Sequence, residues 1–421
     1  MTLDLTTFDA MLKDHYAPGE IENLAYDENK AFALIKKKRG KLVGGRKWIQ
    51  PAGYALVNGG SSTFATANAV TNNQSRHDAF EPTRAKHYRI GKIDNETIEA
   101  TSTGDIDSFE PAINEIDKCM AAEGNWANFR FYRGRGGYIG RMTNTAFATT
   151  LMTVDDPAAL WAVSDGDVLK LASTDGTSGA TRAGSLTVAS VTHPQPNAPA
   201  TAVITLTGNI SAGVAAAAAN DYIFLDGDFG LAPAGLADYV PDTDAAALTT
   251  LFSYDRSKNN LLGGARVDGT SMSVHELVTD MMSAHFNSAG QKASGSKVIF
   301  GHPFTLGTLS KQIDGKWIVM SAAGFEGGKN ASIGIAAFEI NWMGLTAKII
   351  ADRMCPVKRL YLVDIEEWVM FHAGMFPNFL TKRFGNILKV SETTDGWEAR
   401  TGGYLNYCTR APWTNVVGLV G

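Results

Sequence analysis

The sequence predicts an α+β protein, in which helices and strands do not alternate regularly. Three observations favour this class: a long amphipathic helix pattern at residues 107–131, short strand patterns across residues 143–228, and extended segments toward the C-terminus. The chain has 421 residues, enough for two or three domains with a substantial core.

The first fifty residues switch abruptly from acidic to basic. Residues 1–29 hold seven acidic residues and one Lys, whereas residues 30–47 hold eight basic residues and no acid. A run such as KKKRGKLVGGRKWIQP (36–51) can pair with an acidic neighbour or a polyanion. The formal net charge of −5 argues against nucleic-acid binding as the main task of the whole chain.

Residues 48–100 predict a long hairpin. Its arms are KWIQPAGYALV and AKHYRIGKIDNETIEA, and the segment between them is rich in Gly, Ser, Thr and Asn. A two-stranded hairpin buries little of its own surface, so we expect it to lie on something outside itself.

A helix is predicted at 107–131, with Ser108 as its N-cap and Gly124 weakening or ending its first part. FYRGRGGYIGRM (131–142) then predicts a strand interrupted by a glycine turn. The apolar face of the helix is formed by Phe109, Ile113, Ile116 and Met120.

Residues 143–228 predict a small antiparallel barrel or sandwich inserted into the host domain. The segment contains eight Asp, no Glu, one Lys and one Arg, which gives a net charge of −6. This acidity suggests that the insertion faces outward, away from phosphates.

Residues 229–380 mix helices and strands. Ser273 and Glu276 form a capping box that begins a helix ending before Gly290, and Asp364 and Glu367 predict a second helix ending at Gly374. SKVIFGHP, IAAFEINW and LTAKIIAD predict strands, and the tail predicts strands with turns at Asp395–Gly396 and near Pro412.

Catalytic and cofactor motifs are incomplete. GFEGGKN (324–330) lacks the spacing and hydroxyl of a phosphate-binding loop, GTSMS (269–273) lacks the last glycine of a nucleophile elbow, and His275–Glu276 lacks the second zinc-binding His. Cys119, Cys355 and Cys408 form no CxxC pair. We therefore expect no enzyme activity, no cofactor and no metal; calcium at the Asp-Gly-Asp turns (165–167, 226–228) is a minor alternative.

The N-terminus lacks the apolar core of a signal peptide, and no apolar run approaches the length of a membrane span. The expectation is a protein without membrane contact.

Several segments resemble the major capsid protein of tailed double-stranded DNA phages, the Hong Kong 97-type fold. GGRKWIQP and AKHYRIGKIDNETIEA are similar to the arms of its extended loop, and DSFEPAINEIDKCMAAEGNWANFRFYRG is similar to its spine helix. ADRMCPVKRLYLVDIEEW and DGWEARTGGYLNYCTRAPWTNVVGLV resemble its end. The resemblance covers nearly the whole chain except 143–228.

The resemblance implies a domain order. The predicted parts are an N-terminal arm (1–45), an extended loop (46–100), a spine helix with a peripheral-domain strand (101–142), an inserted β-barrel-like domain (143–228), an axial domain with peripheral-domain returns (229–380) and C-terminal peripheral-domain strands (381–421).

The function implied is a structural one: hexamers and pentamers of the chain close into an icosahedral capsid around double-stranded DNA. The implied partners are a separate scaffolding protein, a portal, a decoration protein and packaged DNA at the inner surface, in a virion assembled in the bacterial cytoplasm. Non-covalent clasping is expected, because no motif assigns a Lys–Asn crosslink. The alternatives are an encapsulin-like nanocompartment and an enzyme with a β accessory domain.

Basic and aromatic residues at the root of the hairpin are the candidate inter-subunit contacts, and the bases are expected to meet acids on adjoining subunits. They are Lys36, Lys37, Lys38, Arg39, Arg46, Lys47, Trp48, Arg84 and Lys86.

Overall fold

The structure is a computed structural model. It describes residues 29–421 apart from 41–46, 56–59, 70–75, 95–108, 194–201, 243–249, 259, 291–295, 318–337, 343–344, 375, 381–387 and 393–394. The GFEGGKN loop lies outside the described residues.

The α-helices differ greatly in length. They are α1 (Lys30–Leu34), α2 (Phe64–Ala69), α3 (Phe109–Phe131), α4 (Ile210–Gly213), α5 (Leu236–Tyr239), α6 (Val274–Ala289) and α7 (Pro303–Trp317). The predicted helix is confirmed over Phe109–Phe131 as α3, and it does not end at Gly124; the predicted N-cap Ser108 lies outside the described residues. Burial of Ile116, Met120 and Ala127 outweighs the helix cost of one glycine, which is about 1 kcal/mol.

The strands build three larger sheets and one hairpin. They are β1 (Lys36–Arg39), β2 (Gln50–Ala55), β3 (Arg76–Phe80), β4 (Ala85–Asp94), β5 (Tyr138–Arg141), β6 (Leu151–Val154), β7 (Val168–Ala172), β8 (Leu186–Thr192), β9 (Ala202–Leu206), β10 (Tyr222–Leu225), β11 (Ala265–Gly269), β12 (Ser296–Gly301), β13 (Phe338–Trp342), β14 (Leu345–Ala351), β15 (Arg359–Val363), β16 (Trp368–His372), β17 (Asn378–Phe379), β18 (Leu388–Val390), β19 (Gly396–Thr409) and β20 (Val416–Val420). Helices and strands are mixed without βαβ alternation, so the α+β prediction is confirmed.

The first sheet is organised around the long strand β19. Strand β4 runs antiparallel to it from Gly396↔Asp94 to Leu405↔Ala85, and β16, β17 and β18 also pair with it. The prediction that AKHYRIGKIDNETIEA forms the second arm of the hairpin is therefore wrong: its residues 85–94 pair with β19, and the hairpin consists of β2 and β3. Helix α3 lies close against β4: a Cβ on Gly91 would stand 2.5 Å from the Cys119 sulfur. Glycine at this position therefore permits the close approach of helix and strand.

The inserted segment is a closed antiparallel barrel. Its strand order is β5-β10-β7-β8-β9-β6, and the ring closes where the Thr143 amide donates to Thr153 O and the Asp155 amide donates to Arg141 O, both at 2.9 Å. Closure leaves no open sheet edge, and the interior is filled by side chains. The buried residues include Met152, Leu169, Leu171, Val188, Ile204 and Ile223.

The third sheet has the order β11-β20-β15-β12-β14-β13. Helix α6 packs on it, and its buried face includes Leu277, Val278 and Met281. The capping box of Ser273 and Glu276 is present as predicted, because each side chain bonds the backbone amide of the other residue.

The predicted helix at 364–374 is wrong. A single 3₁₀ turn (Ile365–Glu367) leads into strand β16, which runs between β1 and β19. Asp364 makes no side-chain cap; it accepts from Lys297 Nζ at 2.7 Å, and Glu367 pairs with Arg410. The two acids therefore form ion pairs, and the apolar residues between Glu367 and Gly374 form strand β16.

Sequence patterns also missed two helices. Helix α7 lies between strands β12 and β13, and helix α2 lies in the hairpin tip, where only turns were predicted. The strands predicted at SKVIFGHP, IAAFEINW and LTAKIIAD are confirmed as β12, β13 and β14, and the turn near Pro412 is a 3₁₀ helix between β19 and β20.

Candidate inter-subunit contact surface

The run of bases at 36–39 forms strand β1, at one end of the strand order β1-β16-β19-β17. It pairs in parallel with β16, from Lys36↔Val369 to Arg39↔His372. Lys36, Lys38 and Arg39 are exposed, and in the described part of the chain no carboxylate lies within ion-pair distance of them. The Lys36 ammonium donates to the Glu366 carbonyl oxygen at 3.4 Å.

Lys37 differs from its neighbours in β1 because its side chain is directed inward. Its Nζ donates to Ala33 O at 3.2 Å and lies 4.9 Å from the centroid of the Phe32 ring. Phe32 is buried, so Lys37 helps to attach α1 to the sheet.

The root of the hairpin is anchored firmly to the body. The two sides of the root are joined by Lys47 Nζ and Glu81 Oε2 at 2.5 Å and by the Trp48 amide, which donates to Pro82 O at 3.1 Å. The Glu81 amide donates to Phe252 O of the body at 3.2 Å. Phe80 is buried, with its ring stacked on Tyr254 at 4.4 Å and edge-on to Tyr239 at 5.4 Å. These contacts fix the direction in which the hairpin leaves the body.

Trp48 is a core residue, and its assignment as a contact with another subunit is corrected. Its side chain is 1% exposed and stacks on Phe371 at 5.7 Å, while Nε1 donates to Gly40 O at 3.2 Å. The ring has no surface left for a neighbour. Arg46, another candidate, lies outside the described residues.

The tip of the hairpin carries helix α2, which buries none of its residues. Residues 60–69 are exposed except for a half-buried Ala67, and Phe64 is 86% exposed. Sequence reasoning missed Phe64, although one aromatic residue in a stretch of Gly, Ser, Thr and Ala was a usable signal.

Arg84 and Lys86 mark the start of a second exposed face, on strand β4. Both are exposed, and the Arg84 guanidinium lies 5.4 Å from the centroid of the Tyr404 ring. Tyr88 and Ile90, each 51% exposed, continue the same face, and Tyr88 meets Tyr404 edge-on at 6.3 Å. The alternation of exposed and inward residues in AKHYRIGKID could have revealed this face.

The opposite face of β4 packs on helix α3 of the same chain. His87 stacks on Trp126 at 3.9 Å, and its Nδ1 lies 2.8 Å from Glu123 Oε2. Glu123 is completely buried in the middle of α3. The inward face thus attaches the strand to the helix and leaves the outward face for other contacts.

The acids of the barrel are partly used inside the chain. Asp228 accepts from Arg130 Nη2 at 2.5 Å, and Asp156 pairs with Arg133. Asp155 accepts from the Arg141 amide at 2.7 Å. These contacts join the barrel to the end of α3, so the net charge of the insertion does not by itself give its orientation.

A cavity of about 730 Å³ lies between the barrel, the turn after α3 and the third sheet. Two of its lining carboxylates have partners: Asp242 pairs with Arg359 at 2.5 Å, and Asp238 accepts from the Arg135 backbone amide at 2.5 Å. Burial raises the pKa of Asp238 to about 6. The cavity therefore holds internal pairs and one carboxyl that titrates near neutral pH.

Among the described residues, no group of three His, Cys, Asp or Glu side chains could hold a metal ion. In the same part of the chain, no helix is long and apolar enough to cross a membrane.

No protein-family model matches this sequence, and a search of curated proteins found no match. Solved structures do show a likeness to the chain. One is a capsid asymmetric unit of cyanophage A-1(L), with a TM-score of 0.48 and 10% identity, covering 93% of this chain and 92% of that one.

A second structure, the capsid of a native GTA particle, has a TM-score of 0.45 and 10% identity, covering 93% of this chain and 90% of that one. A third is the SrpI encapsulin complex from Synechococcus elongatus, with a TM-score of 0.38 and 7% identity, covering 92% of this chain and 85% of that one.

Proposed function

We propose that this chain is the repeating subunit of an icosahedral capsid that encloses the double-stranded DNA genome of a tailed phage. The observation that carries the proposal is helix α2, which stands at the end of a two-stranded hairpin and buries none of its residues. A hairpin and a six-residue helix are at best marginally stable alone. Contact with a neighbouring subunit supplies the missing burial.

The root of the hairpin supports the same role. Phe80 packs on Tyr254 of the body, and Lys47 with Glu81 joins the two sides of the root, so the direction of the hairpin is set before assembly. A pre-oriented projection lowers the entropic cost of docking. Each contact is weak, and many contacts in a closed shell sum by multivalency.

The acids and bases of the cavity support a structural role over a catalytic one. Asp242 and Asp238 are already engaged by Arg359 and the Arg135 amide. The cavity is lined by the barrel, the turn after α3 and the third sheet, and these two contacts attach the segment around Asp238 and Asp242 to that turn and that sheet.

The remaining partners follow from the capsid role. We propose hexamers and pentamers of this chain, a separate scaffolding protein, a portal, a decoration protein and packaged DNA, in a virion assembled in the host cytoplasm. The extended-loop, arm and axial boundaries given by the resemblance belong to this proposal.

Electron microscopy of the purified full chain, expressed with and without its genetic neighbours, tests the function. The proposal requires closed particles of tens of nanometres that hold DNA when packaging is complete. Particles that hold a protein cargo would favour a nanocompartment, and a monomer or small oligomer under all conditions would overturn the shell role.

A further inference from the structure

Three aspartates of the barrel lie at one end and are not held by arginine. The Asp226 amide donates to Val168 O at 2.9 Å, which sets the turn at 226–228 beside the turn at 165–167. Asp165 and Asp226 are exposed and Asp167 is half-buried. We call Asp165, Asp167 and Asp226 the acidic barrel end.

The other barrel acids show that this end is different. Asp156, Asp221 and Asp228 are engaged by arginine side chains. Asp155 accepts from the Arg141 amide, and Asp175 accepts from the amide and hydroxyl of Thr177. Across the described residues, the acidic barrel end has no Lys or Arg within ion-pair distance, and its only side-chain bond goes from the Ser164 amide to Asp167 Oδ2.

Strand β1 presents the opposite charge with the same lack of partners. Lys36 and Lys38 lie on one face of the strand, Arg39 follows, and all three are exposed. Among the described residues, no carboxylate lies within ion-pair distance of these three cations. Among the residues that the structure describes, one subunit therefore carries an acidic patch and a basic patch that lack ion-pair partners, and the two patches lie on different sheets.

We propose that the acidic barrel end of one copy docks against strand β1 of a neighbouring copy. The inference rests on the shell role proposed above and names the surfaces that meet. Because the two patches differ, the contact is head-to-tail, and repetition by rotation closes rings. Charge complementarity sets the orientation and register of the contact, while apolar contacts elsewhere supply most of the affinity.

Charge reversal and its rescue in the full chain test the docking. One variant carries Asp165→Lys and Asp226→Lys, a second carries Lys36→Glu and Lys38→Glu, and a third carries all four changes. The control carries Asp268→Lys and Glu392→Lys, which change the net charge as much as the first variant does at exposed sites outside both patches.

Assembly is measured by sedimentation against protein concentration, in about 0.1 M and about 1 M salt. Each double reversal should raise the concentration for half-assembly about tenfold in low salt. The four-site variant should half-assemble at a concentration within about threefold of that of the unmodified chain. The control variant should half-assemble at the same concentration as the unmodified chain. In high salt the variants should differ less in the concentration for half-assembly, because the Debye length falls from ~10 Å to ~3 Å.

The docking is overturned if the unmodified chain forms particles and either double reversal assembles equally well. It is also overturned if the four-site variant assembles no better than the doubles. A variant that melts at a lower temperature is replaced by Asp165→Asn with Asp226→Asn, which should show a smaller loss in the same direction. Failure of the unmodified chain to form particles under any condition would instead overturn the shell role.

Discussion

The barrel and the hairpin both project from the body of the protein, but they differ in how much of their apolar surface is buried within one subunit. The barrel closes its ring of strands, buries residues such as Leu171 and Ile204, and fixes its root by Arg130 and Arg133. The hairpin has two strands and a tip helix with no buried residue. The barrel buries its interior within one subunit, whereas the tip of the hairpin stays exposed.

The same contrast governs charge. The insertion has the more extreme composition, yet Arg130, Arg133 and Arg182 engage three of its acids. The shorter basic run at 36–39 keeps most of its charge exposed. Net charge along a sequence therefore says less about a partner than the charge that remains unpaired after folding.

The largest effect should come from breaking the barrel's root. Arg130 is 1% exposed, and it donates to Gly137 O at 2.8 Å as well as to Asp228. Arg130→Met should lower the free energy of unfolding by about 3–5 kcal/mol, because it leaves a carboxylate and carbonyls unpaired in a buried site. Chemical denaturation of the unassembled subunit measures it.

A surface ion pair gives the matched control for that prediction. Lys389→Met removes the exposed pair with Glu392, and it should cost less than about 0.5 kcal/mol. Equal losses for Arg130→Met and Lys389→Met would show that the root pair does not anchor the barrel.

The second largest effect should come from Phe64 in the hairpin tip, whose substitution should reduce particle assembly without lowering the free energy of unfolding. Phe64→Ser should leave the free energy of unfolding within about 0.5 kcal/mol, because the ring touches little in one subunit. It should weaken each subunit contact by about 1.5–3 kcal/mol if the ring is buried by a neighbour. Denaturation and particle yield are measured on the same preparation.

Leu231→Ser is the control for Phe64, since Leu231 is also exposed but lies beyond the end of the barrel. A particle yield lowered equally by both substitutions would remove the special role of the tip. A large loss of folding stability in Phe64→Ser would contradict the idea that the tip is incomplete.

The third effect concerns Asp238 in the cavity. Burial raises its pKa from 3.8 to about 6, so the folded state binds the proton more tightly than the unfolded chain does. Stability is therefore lost as the pH rises from about 4 through about 6, with the loss complete above that range. Asp238→Asn should match the unmodified chain near pH 4 and exceed it by about 1–3 kcal/mol near pH 8.

Thermal unfolding of the unassembled subunit across this pH range checks the sign. Asp268→Asn is the comparison, because hydrogen bonds from Thr270 lower the pKa of the Asp268 carboxyl. Asp268→Asn should be no more stable than the unmodified chain at high pH. A pH-independent difference for Asp238→Asn would show that the carboxyl does not titrate in the cavity.

The smallest effect should be found at the thiols. Cys119, Cys355 and Cys408 are buried, and burial raises the pKa of Cys119 to about 11 and of Cys408 to about 12. Thiol reagents at neutral pH should label none of the three within the time that labels the unfolded chain fully. Rapid labelling of the native subunit at any of them would indicate local opening.

The sequence predicted elements whose signals are local. The capping box of Ser273 and the helix α3 depend on neighbouring residues, and both are confirmed. Of the predicted apolar face of α3, Ile116 and Met120 are buried, and the side chains of Phe109 and Ile113 lie outside the described part. The strand β16 was mistaken for a helix because its acidic start resembles a helix N-terminus. Its conformation is set by pairing with β1 and β19, which no local pattern contains.

The contact surface was predicted less well for the same reason. Trp48 and Lys38 lie in one basic stretch, but folding buries the first against Phe371 and leaves the second exposed. The pairing of barrel acids with Arg130 and Arg133 was also not visible in the sequence, since composition records charge and not its partners.

Hydrogen–deuterium exchange on the unassembled subunit and on the closed particle tests the central claim most directly. We predict that amides of the tip helix at 64–69 exchange rapidly in the free subunit and become protected in the particle. Amides of the barrel strands at 168–172 and 202–206 should be equally protected in both forms. Equal protection of the tip helix in the two forms would contradict the claim that a neighbour covers it.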